Sequence, residues 1–383
     1  MLCRAARGRG VFMDGKDKKV AVAMSGGVDS SVAALLLKER GFEVAGFHMS
    51  LFDAAEGGGA APGACCSEES SLAARAVCDA IGADFFCLDF KEAFRNLVIV
   101  PFVESYLAGR TPNPCVECNR AVKFDALLKD IKGLGFDFLA TGHYARRERA
   151  VGGWRLRRGA DRLKDQSYFL YMLDSPALES ILFPLGELTK DEVRRIALGA
   201  GLPSAEREES QDICFAGDGA YEQVIERARP GGFAPGPIFD VSGKEIGRHT
   251  GIVNYTVGQR RGMGVSAAEP LYVLKILGAE NAIIAGPRSE LAASGLAFAE
   301  AVFQFGEPRP GAFYDAVVRH KSKPVRAEYK GEYRCGQAED EGRRAHAIIF
   351  ENPVDGIAPG QSVVLYDGDV VAGGGIIEKA IEK

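Results

Sequence analysis

The sequence runs to 383 residues, 46% of them hydrophobic and 26% charged, with a formal net charge of −5. That length exceeds what one ordinary core supports, so two or three domains are expected in a globular chain. The acidic balance excludes a protein that is basic all over and leaves nucleic-acid contact to local patches.

The start, MLCRAARGRGVF, lacks the apolar centre of a secretory signal, and no run approaches the roughly 18 apolar residues of a membrane span. A cytoplasmic address with no membrane partner is expected. Residues 1–16 read as an extension outside the fold, with Met13 as a second start and an Arg-rich transit peptide as the other reading. Nine cysteines in a chain of this size do not suggest a disulfide framework, because a reducing compartment keeps thiols reduced and a large core needs no staples.

In chain order, Lys19 to Met24 is a short β-branched and apolar run, followed by a Gly turn and a helical pattern over Ser30 to Arg40. Further strands are expected at Glu43 to Met49, Asp84 to Leu88 and Asp137 to Thr141, with helices near Ser67 to Ile81, Phe94 to Leu107 and Ala121 to Lys132. Strands alternating with helices predict an α/β fold, a parallel sheet with helices on both faces. Helical character continues over Thr189 to Gly199 and stops at Gly201-Leu202-Pro203. After about Asp218, Pro and Gly break the chain into short pieces, which suits a small central domain over 218–288 following a catalytic domain over 17–217. From about residue 289, alternating runs such as Ala312 to Arg319, Ala345 to Phe350 and Ser362 to Tyr366 predict an antiparallel β-barrel. Two basic stretches stand out: Arg146 to Lys164 with net +6, and Arg319 to Lys330 with net +4. Taken alone, each reads as a solvated face.

Ser25-Gly26-Gly27-Val28-Asp29-Ser30-Ser31 lies between the first strand and the first helix, where backbone N–H groups and the helix dipole make an anion site. Glycines allow close approach to phosphate, and Ser30 and Ser31 are expected to add hydroxyl donors. The Gly-Lys-Ser/Thr ending of a Walker loop is missing, which argues against a kinase or GTPase. The heptad resembles the PP-loop of ATP pyrophosphatases, which cleave ATP between the α and β phosphates and leave AMP on a substrate oxygen. That resemblance gives the chemistry class without the substrate.

Thr111-Pro112-Asn113-Pro114-Cys115-Val116-Glu117-Cys118-Asn119 places two thiols on a proline-stiffened loop ahead of a helix expected at Arg120, where a thiol pKa is lowered. Half a zinc site and a redox pair are the alternatives; the first lacks a second CxxC or CxxH at suitable spacing, and the second lacks a preceding strand. Ser210-Gln211-Asp212-Ile213-Cys214-Phe215 holds a single cysteine that, alone, also reads as a core thiol.

Together with GFHMSLF, CCSEES at Cys65 to Ser70, LATGHYAR at Leu139 to Arg146, KDQSYFLY at Lys164 to Tyr171 and NYTVGQRRGMGV at Asn254 to Val265, these motifs resemble the tRNA-specific 2-thiouridylase family over nearly all of 19–383. The resemblance implies an adenine-nucleotide α-hydrolase-like domain, a small central domain and a C-terminal β-barrel. It implies a persulfide on Cys214 with Cys118 as partner thiol, and ATP on Ala23, Met24, Ser25, Gly26, Gly27, Val28, Asp29 and Ser30 with Met49 and Gly142 near adenine. It further implies Mg2+, a cysteine desulfurase or sulfur-relay protein, and tRNA of the Lys, Glu and Gln isoacceptors. The tRNA is implied to touch Asn113, Pro114, Cys115, His143, Lys164, Asp165, Gln166, Arg319, His320 and Gln361, with Lys164 and Arg319 inside the two basic stretches. The sequence departs from the family pattern at Cys115, where Asp is common, and at His320, where Tyr often stands. With Cys118 and Cys214, Cys115 leaves an iron-sulfur cluster as an alternative that is not favoured. A PP-loop synthetase acting on a small molecule, and a tRNA-binding protein without catalysis, are the rival readings.

Overall fold

The computed structural model describes residues 15–52, 68–207, 213–216, 221–231, 234–333 and 344–382. The start of the chain, Cys65, Cys66 and Ser210 to Asp212 lie outside the described residues. The chain divides into two compact units. The first comprises Met1–Val98, Cys115–Tyr221 and Asp369–Val371, and the second Ile99–Pro114, Glu222–Gly368 and Ala372–Lys383.

In the first unit, β1 (Lys19–Ala23), β2 (Glu43–Ser50), β3 (Asp84–Asp89) and β4 (Phe138–Ala140) come before the hairpin β5 (Ala145–Ala150) and β6 (Gly153–Arg158), and β7 (Ile181–Leu182) follows. A parallel sheet forms in the order β3-β2-β1-β4-β7. The middles of β1 and β2 are buried at consecutive residues, although consecutive side chains point to opposite faces. Both faces are therefore covered, as the alternation of strands and helices predicts. Val20 and Val22 meet Val32 and Leu36 of the helix Val28–Glu39, Val77 of the helix Glu68–Ile81 and Val193 of the helix Lys190–Gly199 in one core cluster. Each such side chain contributes about 1.5–3 kcal/mol relative to exposure.

Three local features differ from the sequence expectation. The helix expected at Phe94 to Leu107 begins earlier and is a composite of Lys91–Phe94, a π-helical stretch Arg95–Ile99, and Val100–Leu107. Pro101 lies at the start of the last piece; it donates no N–H and its ring crowds the carbonyl one turn back, which widens the preceding turns. The helix expected from Ala121 starts at Pro114, since proline is pre-organised for the first helical position, and widens into a π-helix over Cys118–Leu127. Most of the first basic stretch forms the β5–β6 hairpin, turning at Gly152 and Gly153 with φ of 93° and 136°.

In the second unit, β8 (Gly236–Phe239), β9 (Glu245–His249), β10 (Tyr272–Leu277) and β11 (Ala282–Gly286) form a four-stranded sheet in the order β10-β11-β8-β9. It is followed by β12 (Ala292–Phe303), β13 (Phe313–Val317), β14 (Val325–Tyr333), β15 (Ala345–Asp355), β16 (Ser362–Asp367) and β17 (Val370–Ile381). These six run β12-β15-β14-β13-β16-β17 and close through antiparallel pairing of β12 with β17, giving the expected barrel around Leu296, Phe298, Tyr329, Ile348 and Leu365.

The strand order reverses between β1 and β4, and a crevice opens at the carboxyl ends of strands where such an order reverses. Gly142, two residues after β4, lies so close to the loop after β1 that a Cβ there would stand 2.8 Å from the carbonyl carbon of Asp29 and the nitrogen of Ser30. Gly142→Ala is expected to destabilise the protein by about 1–3 kcal/mol through this overlap. Helical Gly133, whose added Cβ would meet nothing within 4 Å, is the control: Gly133→Ala is expected to be neutral or stabilising. Calorimetric unfolding of the two variants checks the contrast, and equal transitions would contradict it.

Candidate active site

The loop after β1 is shaped by Gly26, with φ of 74°, where a Cβ would meet the Ser70 carbonyl at 2.4 Å. Gly27 is the N-cap of the helix Val28–Glu39, and no side chain caps that helix start. The first N–H groups of a helix have no intrahelical acceptor, so this terminus presents donors and the positive end of the dipole. The two serines behave differently from the expectation that they supply donors to a ligand. Ser30 Oγ donates to the Gly27 carbonyl at 3.1 Å and Ser31 Oγ to the same carbonyl at 2.8 Å, with Ser204 donating to Ser31 at 2.8 Å. Both hydroxyls brace the loop, and the open donors of the helix start are backbone N–H groups. Met24, which leads into the loop, and Met49 near the end of β2 are both buried, and His48 bonds the Met24 carbonyl through Nδ1 at 3.0 Å.

Around Asp29 the fold gathers side chains that sequence reasoning did not single out. Tyr144 donates its hydroxyl to Asp29 Oδ1 at 2.8 Å, and Lys190 Nζ reaches both carboxylate oxygens at 2.7 and 2.8 Å. Arg207 donates to Glu69 at 3.1 Å and lies 3.5 Å from the Gly26 carbonyl. The one local sign of Lys190 is a lysine on the first turn of a helix whose N-cap box, Thr189 with Glu192, is complete without it.

The thiols are unequal. Cys115 is exposed in the first turn of the helix starting at Pro114, whereas Cys118, 8% exposed, begins the π-helical stretch one turn further on. The structure therefore moves both cysteines from a preceding loop into the helix, and the dipole, which fades after the first turn, favours Cys115 over Cys118. Cys214 is half-buried next to Phe215, whose ring meets Phe94 edge-on at 5.6 Å between centroids. The turn Lys91–Phe94 also packs against the Cys118–Leu127 stretch, so both cysteine segments rest on the same short helix. Asn119, next to Cys118, is buried with Nδ2 on the Phe169 carbonyl at 3.1 Å and no partner for Oδ1. By contrast, burial pushes the Cys78 thiol up to about 11, which makes it an inert core group. Among the described residues no group of three His, Cys, Asp or Glu side chains could hold a metal ion, so Cys115, Cys118 and Cys214 do not converge into a ligand set.

The residues implied to touch RNA fall into different environments. His143 bonds Thr141 Oγ1 through Nδ1 at 2.8 Å and packs near Phe124 and Phe183; burial, with Lys123 adding, holds its pKa well below the usual value. Asp165 accepts from the Gly159 and Ser167 amides at 3.0 and 3.1 Å and from Arg158 at 3.2 Å, and Gln166 exchanges bonds with the Tyr144 backbone at 2.9 Å. These two side chains shape the turn that carries Lys164. In the second unit, Gln361 donates to the Thr111 carbonyl at 3.1 Å, two residues from Asn113, and Arg319 donates to the Gly356 carbonyl at 3.2 Å beside His320. The first basic stretch is largely internal. Arg146 and Arg162 pair with Asp369, Arg157 with Glu148, and Arg158 with Asp165, while Arg147 lies over Trp154 with burial lowering its pKa to about 10.

Residues 18–218 match the profile described as a tRNA methyl transferase HUP domain, 224–287 the tRNA methyl transferase PRC-barrel domain, and 313–377 the aminomethyltransferase beta-barrel domain. The tRNA-specific 2-thiouridylase MnmA of Chloroflexus aggregans is 46% identical over 94% of this chain and 98% of its own, and that of Geotalea uraniireducens 45% identical over 96% of each. Among solved structures, the U34-tRNA thiolase NcsA from Methanococcus maripaludis is 20% identical, covers 60% of this chain and 73% of that one, and has a TM-score of 0.37, too low to bear on the site.

A lowered His143 pKa has a pH consequence. As pH falls, the unfolded chain takes up the proton first, so the stability that comes from keeping this ring neutral is present above about pH 6.5 and lost below it. The melting temperature of wild type should therefore fall more between about pH 7.5 and about pH 5.5 than that of His143→Gln. Equal slopes in the two melting series would show that His143 is not held neutral.

Proposed function

We propose a mechanism that proceeds from one premise: the chain belongs to the tRNA-specific 2-thiouridylase family. Its reaction replaces the C2 oxygen of a tRNA uridine with sulfur and is driven by ATP. The observation that carries the mechanism is an uncapped phosphate loop in the same unit as two thiols of unequal exposure that rest on one helix.

The uridine O2 attacks the α-phosphorus of ATP held on the start of the helix Val28–Glu39; the O2–Pα bond forms, the α–β bridge breaks, and pyrophosphate leaves. Asp29 is the loop residue suited to Mg2+, which when bound neutralises phosphate charge. The terminal sulfur of a Cys214 persulfide then attacks C2, and AMP departs with the former O2. Cys118 thiolate attacks Sγ of Cys214, releasing the 2-thiouridine and leaving a Cys118 to Cys214 disulfide that an external dithiol reduces. The half-exposed position of Cys214 suits loading by a cysteine desulfurase or relay protein, and the burial of Cys118 suits a thiol that meets only its partner.

The base is the wobble uridine of Lys, Glu and Gln tRNAs, and the compartment is the cytoplasm. Taking that base out of its stack costs a few kcal/mol. Asn113, Pro114 and Cys115 meet the base. Lys164, placed by Asp165 and Gln166, meets the RNA together with Arg319, His320 and Gln361, and His143 contributes a neutral ring rather than a phosphate-binding cation.

Mass analysis of tRNA nucleosides after reaction with ATP and a sulfur donor tests the scheme. Wild type yields 2-thiouridine, Cys214→Ser yields none but still releases pyrophosphate when tRNA is present, and Cys118→Ser stalls before product release. Unchanged 2-thiouridine in Cys214→Ser removes the persulfide role, and AMP formation without any tRNA favours a small-molecule synthetase.

A further inference from the structure

Lys190 is 5% exposed, and its ammonium lies between the two oxygens of Asp29 at 2.7 and 2.8 Å, with the Tyr144 hydroxyl on the same carboxylate. Stability alone gives little reason for that placement. Lys190 is the first residue of the helix Lys190–Gly199, where the dipole disfavours a cation, and the terminus is already satisfied by the Thr189–Glu192 box and by Asp161, which accepts from the Lys190 amide at 3.0 Å. A buried ion pair is weak support for a fold, because desolvation offsets much of its attraction. What the pair does achieve is to hold a desolvated cation beside the uncapped helix start, next to the second residue of the helix Val28–Glu39.

We propose that Lys190 is a nucleotide-responsive cation. Asp29 holds it while the loop is empty, and when ATP binds, the ammonium turns from Asp29 to the polyphosphate, where charge builds as the α–β bridge breaks. Tyr144 keeps the Asp29 carboxylate in place during the exchange. Lys190 thus contacts phosphate, and Tyr144 is a positioning residue. The proposal rests on the reading of this loop as the ATP site.

Calorimetric titration of the full chain, without Mg2+, with α,β-methylene-ATP and with adenosine provides the test. Lys190→Met should weaken the triphosphate analogue about tenfold or more, as one lost charged contact implies, and change adenosine by less than about twofold. Asp29→Asn frees Lys190 and should tighten the analogue roughly threefold in the wild-type background and not at all beside Lys190→Met, a coupling that simple charge removal does not produce. Equal losses for both ligands in Lys190→Met, or an equal gain from Asp29→Asn in both backgrounds, overturns the assignment. Lys190→Gln carries the same cycle should circular dichroism show Lys190→Met unfolded. Wild type that binds adenosine but not the analogue overturns the reading of the loop itself, a result distinct from failure of the cycle.

Discussion

Between β1 and β4 the chain leaves one parallel sheet in two directions, and the peptide joining Asp29 to Ser30 comes to lie directly against Gly142. That contact leaves no room for a side chain at position 142. The rest of the loop is equally tight: Gly26 is pressed on the Ser70 carbonyl and the two serines turn inward to Gly27. The two hydroxyls are therefore engaged inside the loop, and the open donors at the helix start are backbone N–H groups.

Two helix starts in the first unit show the same physics put to opposite use. Lys190–Gly199 carries a complete capping box, whereas Val28–Glu39 starts at a glycine with no side-chain cap. A glycine N-cap in place of Ser, Thr, Asn or Asp costs only about a few tenths of a kcal/mol, so the open terminus is a small local sacrifice of stability. It coincides with the strand-order reversal at which open α/β sheets bind ligands, and Lys190 brings the other unfavourable choice, a buried cation against a dipole, to the same place.

Much of this was legible in the sequence. β-branched runs marked the strands, and Gly-Gly before Val-Asp-Ser marked the loop, because period and turn chemistry are local. Helix bounds were less legible: Pro114 starts a helix that its Pro-Asn-Pro surroundings suggested was loop, and Pro101 widens one instead of ending it. The β5–β6 hairpin was hidden because arginines alternate in it where β-branched residues are usual; Arg147 buries its stem and stacks on Trp154, so its charge says little about exposure. Lys190 was invisible as a partner of Asp29, since 161 residues separate them and only the packing of two helix starts joins them. The proposed pairing of Cys118 with Cys214 rests on family likeness, because spacing carries no sign of the short helix on which both segments rest.

Charge shows the same limit of linear reading. The net +6 between Arg146 and Lys164 suggests a basic patch, yet Asp369 is brought to Arg146 and Arg162 from over 200 residues away, and Glu148 and Asp165 take Arg157 and Arg158. A phosphate that recruited one of these guanidiniums would first have to displace a carboxylate, so the exchange would release fewer counterions than a free cation and flatten the salt dependence of binding. RNA recognition by such a surface would draw its free energy less from the count of cations than from fixed hydrogen-bonding geometry and from bases held outside their stack, as recognition of unpaired RNA bases generally does.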